Sequence, residues 1–297
     1  MLISDISKTG AFVRLIELFP PGLPVPELMK DSQTFDLSLR FEKLVESINA
    51  LETLADGFSL PELKDSERIH LNSVGIASEL KRRTGSAIIP TLTLRDSNRQ
   101  NILGTVAFAI YSGIENILIV RGDPYQDKLS SPKNVYDIKN VASIVSSIRR
   151  IESHLSEGAR LCILSPINMQ RTSDPSYVEI IRSREIAGVD LFLAESLFED
   201  VDTYVERIRA ARKAGIRVPI IHTIFPLRSH EDALACMAKF GWRISEKEIQ
   251  SLKSRGSEFG LEMARERYRG LLANKGLAQG ACISTRGDTE MARLITT

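Results

Sequence analysis

Two carboxylates stand where a solvated charge is out of place. Glu17 lies inside the apolar run FVRLIEL (12–18), directly before Phe19-Pro20-Pro21. A carboxylate there is either paired with an arginine or held protonated as a general acid. Asp123 closes NILIVRGD, and the next helical pattern begins well downstream, so helix capping does not account for it. Asp96, in Arg95-Asp96-Ser97-Asn98, suits a helix N-cap as well as a site. Cys162, Cys236 and Cys282 form no C-x-x-C pair, and His70, His154, His222 and His230 show no metal-ligand spacing. Metal chemistry and a disulfide framework therefore find no support, and Cys162 in RLCIL reads as a small core hydrophobe.

Groups so far apart in sequence need a scaffold that gathers strand ends. Short β-branched runs alternate with amphipathic stretches, the pattern of repeated βα units. The predicted strands are FVRLIEL (12–18), TLAD (53–56), AIIPTLTL (87–94), NILIVRG (116–122), RLCILSP (160–166), VDLFLAES (189–196), VPIIHTIF (218–225) and GACIST (280–285). Helices are predicted over 36–54, 70–84, 98–112, 137–155, from Asp174-Pro175 to Gly188, and over 200–214. A longer helical excursion, 229–275, is interrupted around Gly241 and Gly256, and a short helix follows Asp288. No linker divides the 297 residues, and neither G-x-G-x-x-G nor a P-loop is present, which disfavours an open nucleotide-binding sheet. The expected fold is a single α/β domain, a (β/α)8 barrel spanning residues 1–297.

Such a barrel builds its site at the C-terminal strand ends. Read in order, those ends are Glu17; Asp56; Arg95-Asp96; Arg121-Gly122-Asp123; Ser165 with Asn168 and Gln170; Glu195; His222 with Thr223; and Ser284-Thr285-Arg286. Nearly every strand delivers a polar group to one rim. The balance of 39 Lys+Arg against 38 Asp+Glu, a net charge of +1, offers no basic stripe for nucleic acid. No apolar run is long enough to span a bilayer and the N-terminus is polar, so a cytoplasmic protein is expected. Trp242 and Phe240 suit either a core cap or a subunit contact; the charged face around Glu262 and Arg265 suits solvent.

The stretch PTLTLRDSNRQNILGTVAFAIYSGIENILIVRGDPY (90–125) resembles the methylenetetrahydrofolate reductase family, with its (R)D-x-N loop and R/T-G-D-P strand end. IELFPP (16–21) resembles the family's first strand, NVYD (134–137) its V-F-D element, and AGVDLFLAESLFEDVDTY (187–204) its A-G-A-D segment. The resemblance implies a flavoprotein barrel that passes hydride from NAD(P)H to 5,10-methylenetetrahydrofolate, giving the 5-methyl product. It assigns general-acid catalysis to Glu17 and stabilisation of a cationic iminium to Asp123. It places Arg95, Asp96, Arg121, Gly122, Tyr136 and Asp137 at FAD, with Arg182 or Arg184 toward the ribityl, phosphate or adenine part. Glu195, Asp56 and Phe225 are placed at the reduced pterin. Glu195 stands where the family has glutamine, Ala55-Asp56-Gly57-Phe58 where it has T-Y-G-A, and Ser165-Pro166-Ile167-Asn168-Met169 where it has a histidine-bearing flavin element. FMN, a flavin-free direct transfer, a pterin-dependent methyltransferase and a non-catalytic pterin-binding subunit stay open alternatives. So do a homo-oligomer and a complex with a partner subunit.

Overall fold

The computed structural model describes residues 1–24, 35–62, 68–125, 135–138, 140–155, 160–195 and 200–297. The elements follow as α1 (Ile3–Lys8), β1 (Val13–Glu17), β2 (Gly22–Pro24), α2 (Leu37–Leu51), β3 (Gly57–Leu60), β4 (Arg68–His70), α3 (Ser73–Thr84), β5 (Ile88–Thr93), α4 (Arg99–Tyr111) and β6 (Asn116–Val120). Then come α5 (Val141–Leu155), β7 (Cys162–Ile167), α6 (Pro175–Ala187), β8 (Leu191–Ala194), α7 (Val201–Lys213), β9 (Ile220–Ile224), α8 (His230–Phe240), α9 (Glu246–Ala273), β10 (Gly280–Ser284) and α10 (Thr289–Thr296). Eight strands close a parallel barrel in the order β1-β10-β9-β8-β7-β6-β5-β3, with β3 returning to β1. The remaining two, β2 and β4, pair antiparallel with each other.

Local chemistry explains the boundaries. The side chains of Asp36, Asn72, Asn98, Asp174, Asp200, Ser229, Ser245 and Asp288 each accept a hydrogen bond from the first turn of the following helix. Pro175 occupies the start of α6, and left-handed Gly188 ends it. Gly256 breaks the helical path of α9 with φ 56° and ψ −136°. Alternate strand residues divide between two cores. Val13, Leu15, Ile89, Leu164, Leu191 and Ile221 fill the barrel, while Ile16, Ile117, Ile163 and Phe192 pack outward under the helices. Each fully buried Ile or Leu contributes about 1.5–3 kcal/mol.

The N-terminal face of the barrel is sealed by α1, which the polar look of MLISDISKTG had not suggested. Ile3 is fully buried and belongs to the inner core. Its N–H donates to Asn116 Oδ1 at 2.8 Å, and Asn116 Nδ2 donates to the Met1 carbonyl at 3.0 Å. A Cβ on Gly57 would stand 3.0 Å from Ile3 Cδ1, so the bare backbone there makes room for the plug.

The second strand differs from expectation. TLAD is the turn after α2, and the strand is GFSL, Gly57–Leu60. Asp56 therefore precedes its strand and sits on the sealed face, opposite the rim. There its carboxylate accepts from the Arg14 N–H at 2.7 Å and pairs with the Arg14 guanidinium at 3.2 Å. Its assignment to the substrate is corrected: it joins two strand starts.

Candidate active site

At the top of β1, Glu17 lies in register with Ser284 of β10 and Ser59 of β3. The Ser284 hydroxyl donates to Glu17 Oε1 at 2.6 Å, and the Thr285 hydroxyl donates to the Glu17 carbonyl at 2.9 Å. Among the described residues no lysine or arginine pairs with the carboxylate. Burial raises the Glu17 pKa above its ordinary value, and the Ser284 hydrogen bond offsets only part of that. Of the two readings of this residue, the protonated acid is the one its surroundings favour.

The loop after β6 is held from beneath. Gly122 has φ +89°, and a Cβ there would lie 2.3 Å from Thr93 Cγ2 and 3.0 Å from Arg95 Cβ. Arg95 is only 3% exposed. It donates to the Asp123 carbonyl, bonds Asp96 Oδ2 at 3.0 Å and lies 3.8 Å over the Tyr125 ring. Asp96 adopts φ 59° and exchanges hydrogen bonds with the Val135 backbone. Burial and the Asp96 hydrogen bond push the Tyr125 hydroxyl up to about 12. Arg95 and Asp96 are thus supports of the loop rather than open ligand contacts, and the cap of α4 is Asn98, not Asp96. Asp123 itself is exposed, as is Arg121, whose guanidinium lies 4.9 Å over Tyr136. The Tyr136 hydroxyl donates to the Gly122 carbonyl at 2.9 Å. Asp137 accepts from the Arg99 N–H at 3.3 Å and borders a cavity of about 380 Å³ between the starts of α4 and α5. Asn134 of NVYD lies outside the described residues.

Glu195, just beyond β8, accepts from Asn168 Nδ2 at 2.7 Å. One edge opens to solvent, yet the surrounding loops strip enough water to raise its pKa, and the Asp123 charge raises it further against the pull of Arg171. Two acidic groups therefore share one side of the rim. Residues 196–199 of the same motif lie outside the described residues. Phe225 is half-buried beyond β9, edge-on to Trp242 at 5.2 Å and with the Arg286 guanidinium 4.6 Å over its ring. Trp242 also stacks on Phe240 at 4.5 Å and packs against a small core around Leu227 and Cys236.

Three sequence-chosen residues lie elsewhere. Arg182 pairs with Glu179 at 3.1 Å on the exposed face of α6, because its helical position points it outward. Arg184 is wedged between α6 and β7, donating to the Pro166 carbonyl at 2.8 Å and lying 3.3 Å from Ser165 Oγ. Neither is displayed on the rim with Arg121. His222 is fully buried behind the barrel against Tyr204 of α7, and burial with nearby Arg212 pulls it down to about 3, so it stays neutral. Conversely, Glu62 was missed: its carboxylate accepts from the Thr93 N–H at 2.7 Å, below the Gly122 loop. Misplacing the second strand hid it.

Solved structures similar to this chain show the fold alone. Phosphoenolpyruvate phosphomutase from Streptomyces platensis subsp. rosaceus is 10% identical with a TM-score of 0.52, covering 98% of this chain and 83% of its own. A phosphonopyruvate hydrolase is 9% identical with a TM-score of 0.52, over 99% and 83% of the two chains. The tryptophan synthase A-subunit from Pyrococcus furiosus is 10% identical with a TM-score of 0.50, over 97% and 95%. The family model described as methylenetetrahydrofolate reductase matches residues 39–258, which take in the Arg121-Gly122-Asp123 loop and Glu195 while leaving Glu17 and β10 outside. With most of the chain matched and the eight-stranded parallel barrel in place, this protein belongs to the methylenetetrahydrofolate reductase family.

Proposed function

We propose that the barrel reduces a methylene-bridged reduced pterin, 5,10-methylenetetrahydrofolate or a close relative, to its 5-methyl form with hydride from NAD(P)H. The observation that carries this reading is Glu17, a rim carboxylate held toward its protonated form beside a hydroxyl. It donates its proton to the bridging amine nitrogen as that C–N bond breaks, leaving a methylene iminium. Exposed Asp123 stabilises the positive charge as it develops. Glu195, fixed by Asn168, accepts from the amino and ring N–H groups of the pterin. Hydride delivered to the methylene carbon completes the methyl group, and Glu17 regains a proton from solvent.

The described residues fit the ring-bearing end of a flavin. Arg121 offers an exposed cation, Gly122 a backbone without a side chain, and Tyr136 a ring fixed beside both. When bound, the flavin supplies the relay of hydride from nicotinamide to pterin. A flavin diphosphate would have to be held by residues other than Arg182 and Arg184, which contact Glu179 and the Pro166 carbonyl. That displacement favours, as a second reading, direct hydride transfer from NAD(P)H without flavin. Purified protein titrated anaerobically with FAD, FMN and NAD(P)H tests both readings. Bound flavin bleached by nicotinamide supports the relay. Colourless protein that still oxidises NAD(P)H with the methylene pterin supports direct transfer. No oxidation under either condition overturns both and returns weight to a methyltransferase.

A further inference from the structure

The seam between β3 and β5 closes only part of the way to the rim. Its register runs Phe58↔Ile88, Ser59↔Ile89 and Leu60↔Pro90, and β3 ends there. Pro61 follows with no N–H to donate, so the strand leaves the sheet. Residues 91–93 of β5 continue upward paired with β6, and their other edge lies beyond the last β3 partner. Buried backbone groups along such an edge need partners from side chains. Ser73, fully buried at the start of α3, donates its hydroxyl to the Thr91 carbonyl at 2.7 Å. Two residues higher, the Glu62 carboxylate accepts from the Thr93 N–H at 2.7 Å. Thr93 is buried, and its methyl group is what a side chain on Gly122 would strike, at 2.3 Å. Arg95, just above, donates to the Asp123 carbonyl. The loop bearing Asp123 therefore rests on the top of β5, and Glu62 holds that top from the side where β3 is missing.

We propose that Glu62 is a positioning residue: its side chain takes the place of the absent β3 strand, holds the end of β5, and through Thr93 sets the seat of the Gly122-Asp123 loop relative to Glu195. The inference rests on the proposed reduction only for the reaction that the loop serves. What the position requires is an acceptor at the reach of a glutamate side chain, not a proton donor. Glutamine meets that requirement, and a methionine of similar size does not. With the clasp released, the like charges of Asp123 and Glu195 drive the freed loop away from Glu195.

The test compares the full-length wild type with E62Q, E62M and T93S, the last of which keeps the Glu62 bond but removes the methyl group under Gly122. The readout is the titration of the Glu195 carboxyl by carbon-detected NMR, since burial and then the Asp123 charge raise it against the pull of Arg171. Amide exchange at Thr93 reports whether the clasp is open, and should be about tenfold or more faster in E62M and unchanged in E62Q. Glu195 should titrate at lower pH in E62M and T93S, and with the wild type in E62Q. In a D123N background, E62M should add no further shift, because its effect passes through Asp123. Wild-type titration of Glu195 in E62M despite fast Thr93 exchange overturns the inference. So does an equal shift in E62Q, which would make Glu62 act by its charge, or a shift that survives in D123N. Should E62M fail to melt cooperatively, T93S decides: an unmoved Glu195 there overturns the inference. None of these readings needs a ligand. Flavin and NAD(P)H are then titrated into the same proteins, and E62M should bind about tenfold more weakly while E62Q binds as the wild type. Equal affinity in all three overturns the positioning role. Failure of the wild type to bind either cofactor overturns the proposed reduction instead, and leaves the Glu195 comparison to judge the clasp.

Discussion

Replacing Glu17 by Gln separates its role as an acid from its role in packing. The amide keeps the volume and can still accept the 2.6 Å hydrogen bond from Ser284, so the barrel top should stay intact. What is lost is a transferable proton. Positioned acids contribute about 10²–10⁴-fold, and kcat for methylene-pterin reduction should fall by that range with little change in pterin affinity. Stability should move the other way. The folded-state pKa is raised above 4.5 by burial, so the folded chain retains a proton that the unfolded chain releases. Wild-type stability is therefore greatest below the unfolded value and declines as pH rises through the folded one. The total decline is about 1.36 kcal/mol for each pH unit that separates the folded value from the unfolded one. In E17Q that decline is absent, and the variant should gain on the wild type from pH 4.5 upward until the folded pKa is passed. Urea melts at several pH values, paired with single-turnover kinetics, measure both effects. A stability difference that does not vary with pH, or a variant with undiminished single-turnover rate, would refute the argument. As a companion, Ser284→Ala removes the one hydrogen bond that lowers this pKa, and should shift the alkaline limb of activity to higher pH.

Other expectations follow from the same contacts. Asp56→Asn should cost about 1–3 kcal/mol by weakening the bonds to Arg14, yet leave pterin affinity and turnover unchanged; chemical denaturation beside steady-state kinetics checks the split. Gly122→Ala forces a Cβ to within 2.3 Å of Thr93 at φ +89°, and should destabilise by about 1–3 kcal/mol while reducing flavin or nicotinamide affinity. Thermal melts and ligand titration read these together. Asp123→Asn removes a charge that raises Glu195, so the Glu195 carboxyl should titrate at lower pH in the variant. Carbon-detected NMR of the labelled carboxyl measures the change.

The strands with long β-branched runs, such as IIPTLT and CILSPI, were legible because burial on both faces demands such residues. Helix ends were legible too, since Asp174-Pro175 and Gly188 act through short-range backbone chemistry. GFSL was not. The run is short and opens on Gly57, whose bare backbone makes room for Ile3 of α1, a neighbour far away in sequence. That misreading carried Asp56 to the wrong face and concealed Glu62. The rim positions of Glu17, Asp123 and Glu195 were legible because a carboxylate at the end of an apolar strand does little for packing and is costly to desolvate. Side-chain direction was the limit: Arg95 turns under its loop, while Arg182 and His222 face away from the rim, and each depends on packing that no local pattern encodes.

The most direct test is anaerobic turnover of 5,10-methylenetetrahydrofolate with NADH or NADPH, with and without added flavin, followed by mass analysis of the pterin. A barrel with Glu17 as its acid predicts 5-methyltetrahydrofolate formed in step with nicotinamide oxidation, abolished or strongly slowed in E17Q. Methylene pterin recovered unchanged, with no nicotinamide oxidised under any of these conditions, would contradict it.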